Sequence, residues 1–342
     1  MKDNIFYSIA GIVIIFALFS LSGCSVYNSS NEPHKTTVFA MDTVMTLTAY
    51  GPNGEEALKA ATEEINRLDA LFSISSDKGD VWKVNNTGSY AVSDDTAALV
   101  KRAVETGDMT DGLFDITIGP VMDAWGFTTR EYRVPDESEL RELTENVDYS
   151  KIVLSEDGLL KLPDNMKIDL GGIAKGYTSD RVMEIFSEHG VSSGIISLGG
   201  NVQALGVKPD GKKWRVLIEQ PREAVFEIED KAVITSGDYE RNFTKDGVTY
   251  HHIIDARTGY PANSGLTSVT VVSDDGTLAD GLSTSLFIMG LSDASEFWRK
   301  NHDLFEAVFM TWDGDVYITE GLEDSFTMRD AGVPEVIRRF AA

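Results

Sequence analysis

Apolar side chains recur at every third or fourth position in several stretches, and this spacing predicts amphipathic helices. Between residues 55 and 72 the pattern places Ala57, Ala61, Ile65 and Leu68 on one face. An acidic first turn, typical of a helix N-terminus, predicts another helix near Pro135. The remaining predicted helices are 95–106 (capped by Ser93 or Asp94), 174–189, 278–289 and 292–300.

Alternating stretches rich in β-branched residues predict strands. The longest is 36–50 (TTVFAMDTVMTLTAY), which the alternation predicts as one strand. Shorter strands are predicted at 152–154, 159–162, 167–170, 193–198, 214–219, 225–228, 232–235, 267–272 and 316–318. Strands and helices are mixed without a regular βαβ repeat, which favours an α+β fold. With no internal repeat, residues 36–342 are predicted to form a single large domain.

The N-terminal residues follow a different pattern. An apolar run from Ile5 to Leu21 after Lys2 predicts a signal peptide over residues 1–23. The residues Leu21-Ser22-Gly23-Cys24 resemble a bacterial lipobox, in which the cysteine is lipidated and becomes the mature N-terminus. An uncleaved anchor helix with an incidental cysteine is the alternative. Residues 24–35 are polar and aperiodic, which predicts a flexible tether, so we expect a lipid-anchored protein outside the cytoplasm.

Composition narrows the function classes. The 342 residues carry 55 acidic and 30 basic side chains, a formal net charge of −25. Such a chain is a poor candidate for nucleic-acid binding, which needs clustered Lys and Arg. Because Cys24 is the one cysteine of the sequence, an internal disulfide framework and a cysteine-based zinc cluster are both excluded.

Two apolar strands run into paired glycines. In residues 169–177 (DLGGIAKGY) a strand stops and a helix starts, and free N–H groups there suit a diphosphate, with Lys175 adding a cation. The spacing is not that of a P-loop. A tight turn without a ligand explains this segment equally well, and it is the favoured interpretation of residues 195–201 (IISLGGN).

A third segment contains paired histidines. Residues 236–241 (SGDYER) are followed at 251–261 by HHIIDARTGYP. A His-x-x-Asp arrangement in a loop suits a general base, with the carboxylate orienting the imidazole. Histidines that cap strand ends are the alternative, and zinc is disfavoured because no third soft ligand lies nearby.

A fourth segment lies on the helix predicted at 278–289. Asp280 and Thr284 are four residues apart and share a helix face. Two hard oxygen ligands suit Mg²⁺, which fills its remaining positions with phosphate and water. A polar helix turn that faces solvent is the alternative.

In combination these segments resemble the FAD:protein FMN transferase family, the ApbE-type lipoproteins. The resemblance begins at Met41-Asp42-Thr43, where the family usually has Met-Gly-Thr. It continues through residues 110–120 (TDGLFDITIGP) and 124–127 (AWGF), and then takes in the four segments in family order. It covers nearly all of residues 38–319.

The resemblance implies a T-fold-like core with a ligand cleft between two lobes. It also implies Mg²⁺-dependent cleavage of FAD and transfer of FMN to a threonine of a redox protein, with release of AMP. The implied FAD contacts are Met41, Leu113, Phe114, Asp115, Asp169, Lys175 and Ile254. The implied metal ligands are the Gly172 carbonyl, Asp280 and Thr284, with Ser283 nearby. His252 is the implied base and Asp255 its electrostatic partner.

Two residues depart from the family pattern. Asp42 replaces a glycine, and Ser75 stands near the ligand where some members carry a bulky aromatic side chain. A small residue there leaves the site more open to water. Hydrolysis of FAD to FMN and AMP is therefore the alternative activity, and FAD binding without turnover is a second one. A substrate-binding lipoprotein of a transporter would share the signal peptide but not the motifs.

Overall fold

The computed structural model describes residues 32–340, so the predicted signal peptide, Cys24 and most of the tether lie outside the described residues. Seven α-helices are found in that range: α1 (Gly54–Phe72), α2 (Asp80–Thr87), α3 (Asp94–Met109), α4 (Gly119–Trp125), α5 (Glu137–Thr144), α6 (Ala174–Glu188) and α7 (Gly276–Asn301). No helix within residues 32–340 is both long and apolar enough to cross a membrane.

The strands within the same range are β1 (Pro33–Ala40), β2 (Thr43–Tyr50), β3 (Ser89–Ala91), β4 (Val153–Leu154), β5 (Leu159–Lys161), β6 (Gly194–Leu198), β7 (Asn201–Leu205), β8 (Trp214–Ile218), β9 (Ala224–Ile228), β10 (Ala232–Gly237), β11 (Asn242–Lys245), β12 (Val248–His251), β13 (Leu266–Ser273), β14 (Glu306–Thr311), β15 (Val316–Thr319), β16 (Phe326–Met328) and β17 (Glu335–Ile337).

A nine-stranded open sheet organises the fold. Its order is β1-β2-β6-β7-β10-β13-β14-β15-β17, antiparallel except for the β15–β17 pair. Three small sheets, β11-β12, β16-β9-β8 and β3-β5-β4, surround it. The predicted α+β class and the single domain are confirmed.

Helices α1, α6 and α7 pack against the large sheet, and α6 also packs against both α1 and α7. The α7 side of the core includes Phe287, Trp298 and Phe309, each at most 1% exposed. The Trp298 Nε1 donates to the Phe305 carbonyl at 3.1 Å, so this indole N–H remains paired in the core. Helices α6 and α7 therefore have fixed positions in this core, and both carry residues of the candidate site.

The prediction of one strand over 36–50 is wrong. The stretch forms a hairpin whose two-residue turn is Met41-Asp42, at φ 48° and 62°. Two consecutive left-handed residues match the twist of a hairpin, but Gly and Asn are the usual signals for such a turn. The hairpin also begins earlier than predicted, because β1 includes Pro33 and the next two residues of the predicted tether.

Other differences are local. Residues 167–170 form no strand and contribute only an isolated bridge from Lys167 to Ile118. The two helices predicted at 278–289 and 292–300 are halves of α7, which is interrupted by Gly290 at φ 77°. The hairpin β11-β12 was not predicted; it packs Phe243 and Tyr250 against Trp125 of α4.

Candidate active site

One cleft of about 850 Å³ brings together residues from all four glycine-containing segments. Its wall is formed by the β1–β2 turn, the loops after α1, α3 and α4, the start of α6, the β10–β11 connection and one face of α7. The outermost of these segments, at Met41 and Thr284, are 243 residues apart in the sequence, so only the fold brings them together.

The floor of the cleft is built where α6 and α7 cross. Asp280 on α7 is 5% exposed, and its Oδ2 accepts a hydrogen bond from the Gly176 amide at 2.8 Å. Its Oδ1 accepts from the Asn201 side-chain amide at 3.0 Å. A Cβ on Gly176 would lie 2.2 Å from the Gly276 carbonyl oxygen, so glycine is required for the helices to approach this closely. The carboxylate is thereby fixed, with lone pairs left over on both oxygens.

The same hydrogen bond changes the start of α6. A regular helix would direct the Gly176 amide at the carbonyl of Gly172, four residues earlier. Because this amide donates to Asp280 instead, no donor among residues 32–340 reaches the Gly172 carbonyl oxygen. The amides of Gly172 and Lys175 likewise have no acceptor within this range. The turn therefore presents an unpaired carbonyl and unpaired amides beside a fixed carboxylate.

Thr284 lies one turn further along α7 and lines the cleft. Its hydroxyl is 3.3 Å from Ser236 Oγ on β10. Asp280, Thr284 and the Gly172 carbonyl form a set of hard oxygen donors, the type that Mg²⁺ prefers when phosphate and water complete its shell. Within residues 32–340 no group of three or more His, Cys, Asp or Glu side chains could hold a metal, which disfavours zinc-type centres.

The two adjacent histidines have different environments. The ring of His251 is buried: its Nε2 donates to the Ala262 carbonyl at 3.0 Å, and its Nδ1 accepts from the Ile253 amide. His252 lines the cleft, and its Nδ1 lies 3.3 Å from the Arg241 carbonyl oxygen. Since a carbonyl can only accept, Nδ1 carries the proton, and Nε2 is the basic atom, with no partner within the described range.

The surroundings keep the His252 ring neutral. Burial of the ring, together with the positive charges of Arg241 and Lys175, lowers its pKa to about 3. Lys175 itself lines the cleft and forms no ion pair with any residue between 32 and 340. The cleft thus combines a neutral imidazole with an unpaired cation.

Two carboxylates that line the cleft wall accept hydrogen bonds from backbone amides. Asp169 Oδ1 accepts from the Gly171 amide at 2.7 Å, and Asp115 accepts from the amides of Thr117 and Tyr149 at 2.7 and 3.0 Å. Burial raises the pKa of both groups. These bonds hold the glycine turn and the 112–118 loop in shape.

Comparison with known proteins gives the family of this chain. The profile of the ApbE family matches residues 41–309. The chain belongs to the ApbE family.

Individual members are similar over most of their length. A protein of Vibrio cholerae serotype O1 named FAD:protein FMN transferase is 34% identical, over 67% of this chain and 71% of the relative. A protein of the same name from Klebsiella pneumoniae is 30% identical, over 89% of this chain and 97% of the relative. The crystal structure of the ApbE protein of Thermotoga maritima superimposes with a TM-score of 0.82 at 31% identity, covering 87% of this chain and all of that one.

Most site residues predicted from the ApbE resemblance line the cleft. These are Met41, Ser75, Leu113, Phe114, Asp115, Asp169, Gly172, Lys175, His252, Ile254, Asp280 and Thr284. Met41 is positioned by its amide, which donates to Asp69 Oδ1 of α1 at 2.9 Å. Ser75 is exposed in the loop after α1.

Two predicted residues are placed elsewhere. The expectation that Asp255 partners His252 is wrong in this structure, because both Asp255 carboxylate oxygens pair with the Arg257 guanidinium, at 2.7 and 2.9 Å. Ser283 does not line the cleft: it is fully buried, its hydroxyl donates to the Asp280 carbonyl at 2.8 Å, and it also contacts Ser236 Oγ. It supports α7 from behind the proposed metal ligands.

Several residues of the cleft were missed. Glu240 forms no hydrogen bond or ion pair through its carboxylate with residues 32–340, and burial raises its pKa, with the Asp280 charge adding. At the mouth of the cleft, Arg130 Nη2 contacts both Asp42 carboxylate oxygens at 2.5 Å, and Arg241 Nη2 lies 3.6 Å from Asp42. Glu240 and Arg241 belong to a segment that the sequence analysis singled out; Arg130 had no sequence signal.

Proposed function

We propose that this ApbE-family chain is a Mg²⁺-dependent FAD:protein FMN transferase. It would cleave the diphosphate of FAD, attach FMN through a phosphoester to a threonine of a target protein, and release AMP. The observation that carries the proposal is the corner formed by Asp280, Thr284 and the unpaired Gly172 carbonyl, in the same cleft as Lys175 and the free Nε2 of His252.

The donor set fits Mg²⁺. Asp280 supplies a charged oxygen that two hydrogen bonds hold in place, while Thr284 and the Gly172 carbonyl supply neutral ones. Few protein ligands of this kind leave several positions for phosphate oxygens and water. When bound, Mg²⁺ would act as a Lewis acid that neutralises charge on the diphosphate.

The remaining groups of the cleft provide binding and proton transfer. The free amides of Gly172 and Lys175 at the start of α6 are suited to a phosphate, and the Lys175 ammonium adds a positive charge. This charge is needed because the whole chain has a net charge of −25, which repels an anionic dinucleotide.

His252 Nε2 would accept the proton of the threonine hydroxyl as its oxygen attacks the FMN phosphorus. One P–O bond forms, the P–O bond to AMP breaks, and the proton leaves the imidazole for solvent. The free-enzyme pKa of about 3 makes this imidazole a weak base. Bound phosphate anions would raise that pKa, because a nearby negative charge favours the imidazolium.

Hydrolysis is the second candidate, and Ser75 is the observation that favours it. The side chain is small, exposed and at the cleft wall, so water could reach the diphosphate beside it. Water would then replace the threonine hydroxyl, and the products would be FMN and AMP.

We further propose that the protein is anchored by a lipid on Cys24 and acts outside the cytoplasm on a membrane-associated redox protein with a Thr-containing motif. The lipobox and the polar residues that follow it support this location. Metabolic labelling with a lipid precursor should label the wild type and not a Cys24→Ser variant. Equal labelling of the two would refute lipidation at Cys24.

The activity is tested by incubating the protein with FAD and Mg²⁺, with and without an acceptor domain to which the Vibrio cholerae relative transfers FMN. Transfer predicts an acceptor whose intact mass increases by FMN minus water, with one AMP per adduct. AMP release at the same rate without acceptor, and no adduct, would favour the hydrolase. Intact bound FAD after hours in Mg²⁺ would indicate binding without turnover.

A further inference from the structure

The tip of the β1–β2 hairpin carries an exposed apolar pair. Phe39 and Val44 are directly opposite in the antiparallel register, and their side chains are 69% and 57% exposed. The preceding pairs on the same face, Thr37 with Thr46 and Lys35 with Thr48, are polar or partly polar. The face therefore changes from polar to apolar at its last pair, where the hairpin reaches the cleft.

We propose that this pair, which we call the tip pair (Phe39 and Val44), is the docking point for the acceptor polypeptide. The inference rests on the proposed transferase function, because it is that activity which requires a second protein at the cleft. Phe39 lies on the rim of the cleft, and the turn residues Met41 and Asp42 that follow it line the cleft. A chain bound at the tip pair is thus held beside the opening.

The edge position of β1 gives the acceptor a second means of binding. β1 is the first strand of the nine-stranded sheet, and among residues 32–340 it pairs with β2 alone. An extended peptide can add to such an edge through main-chain hydrogen bonds, with side-chain contacts supplying specificity. A segment that runs along β1 towards Ala40 would bring its continuation to the mouth of the cleft.

The location favours a polypeptide over a membrane surface. At about 3.3 Å per residue, Phe39 lies roughly 20 Å along β1 from Pro33. The proposed lipid anchor precedes Pro33, so the tip pair is at the end of the strand away from the anchor. The acidic chain would also be repelled by an anionic lipid surface.

Val44→Asp tests the proposal, because Val44 does not line the cleft. We expect kcat/KM for the acceptor domain to fall at least about tenfold, since one exposed apolar contact becomes a buried charge. We expect the Kd for FAD and the AMP release without acceptor to stay within about twofold. The isosteric Val44→Thr should give an intermediate loss. Val333→Asp is the matched control, since Val333 is 89% exposed and lies outside the cleft wall.

Binding is measured separately from chemistry, with an acceptor domain whose target threonine is replaced by valine. This domain should bind the wild type and protect the β1 amides from hydrogen exchange, and it should bind Val44→Asp at least about tenfold more weakly. Equal binding or equal kcat/KM for Val44→Asp and Val333→Asp, or no binding to the wild type, would overturn the docking proposal. Normal binding of this domain, together with no FMN adduct on the acceptor that keeps its threonine, would instead contradict the proposed function.

Discussion

Two aspartates, one on α6 and one on α7, connect these helices by hydrogen bonds that run in opposite directions. Asp180 of α6 accepts from the amides of Gly276 and Thr277 at the start of α7, at 2.9 and 2.8 Å. Asp280 of α7 accepts from the Gly176 amide at the start of α6. Each helix thus supplies a carboxylate to the N-terminal amides of the other, where a negative charge is stabilised.

The two carboxylates differ in what remains free. Asp180 also accepts from the Thr277 hydroxyl at 2.6 Å and the Gln203 amide at 3.0 Å, and it does not line the cleft. Asp280 accepts from just two donors in the described part of the chain, and it does line the cleft. Neighbouring His251 and His252 differ in the same way. A buried polar group therefore indicates function when it is fixed by some hydrogen bonds but keeps an unused atom that faces a cavity.

The largest effects should come from removing the negative charge of each of these two aspartates in turn. Asp280→Asn keeps the volume but loses the charged metal ligand, so we expect FAD cleavage to fall by about 10³-fold or more. The free energy of unfolding should fall by about 1 kcal/mol, because one of the two hydrogen bonds that Asp280 accepts is lost. Asp180→Asn should keep activity within about tenfold and lower the free energy of unfolding by about 2 kcal/mol, because an amide group would face backbone donors. The rate of AMP release measures the loss of activity, and urea unfolding measures the loss of stability. A larger loss of activity in Asp180→Asn than in Asp280→Asn, with the larger loss of stability in Asp280→Asn, would contradict the difference drawn between the two aspartates.

Gly176→Ala should disturb both carboxylates through packing. The new methyl group would meet the Gly276 carbonyl oxygen at 2.2 Å and Asp280 Cβ at 2.7 Å, so α6 and α7 must separate. We expect a loss of about 3 kcal/mol in the free energy of unfolding and a weaker response of cleavage to Mg²⁺. Glu188→Ala, at an exposed position of the same helix, is the control and should change stability by less than about 0.5 kcal/mol. Equal stability of the two variants would show that the helices tolerate separation.

The histidine pair predicts a pH dependence. The folded-state pKa of His252 is about 3, below the value of about 6.5 expected in the unfolded chain. The unfolded state therefore binds more protons between these values, so the His252 contribution to stability is complete above pH 6.5 and is lost as the pH falls towards 3. NMR of the free protein should show no titration of His252 between pH 5 and 8, and His252→Gln should flatten the stability profile below pH 6.5. A His252 midpoint near 6.5 would contradict this.

The smallest effect concerns the mouth of the cleft. Asp42 neutralises Arg130 and lies near Arg241, which reduces the positive field that an anionic ligand meets. Asp42→Asn should lower the Kd for FAD by about two- to fivefold at low salt, and the difference should disappear near 1 M salt, where screening is strong. Asp164→Asn makes the same charge change at an exposed site outside the cleft wall and should leave the Kd unchanged. An equal effect of both variants would mean that net charge alone is responsible.

Sequence reasoning succeeded where one local pattern decides the structure. The apolar period over residues 55–72 predicted α1, and Ser93 was correctly given as a cap of α3, since its hydroxyl accepts from the Thr96 amide. The β1–β2 turn was missed because Met41 and Asp42 are not the usual residues for positive φ. The buried apolar positions are even-numbered before the turn (Val38, Ala40) and odd-numbered after it (Met45, Leu47). This shift in the alternation was an available signal for the turn.

The sequence could predict which residues belong to the candidate site, but not which of them contact each other. The ordered motifs identified Asp280, Thr284, Lys175 and His252, all of which line one cleft. The neighbouring Asp255 was assigned to His252 from the His-x-x-Asp spacing and the family resemblance, whereas the structure pairs it with Arg257, two residues away. Arg130 could not be found, because an exposed loop arginine acquires its place only when the hairpin tip packs beside it.

The most direct test of the account is binding of Mn²⁺, which can replace Mg²⁺ at hard oxygen ligands. Electron paramagnetic resonance titrations in the presence of FAD would compare the wild type with Asp280→Asn and Asp180→Asn. The account predicts protein-dependent Mn²⁺ binding in the wild type and in Asp180→Asn, and at least about tenfold weaker binding in Asp280→Asn. Equal Mn²⁺ affinity of Asp280→Asn and the wild type would contradict the assignment of the metal to this corner of the cleft.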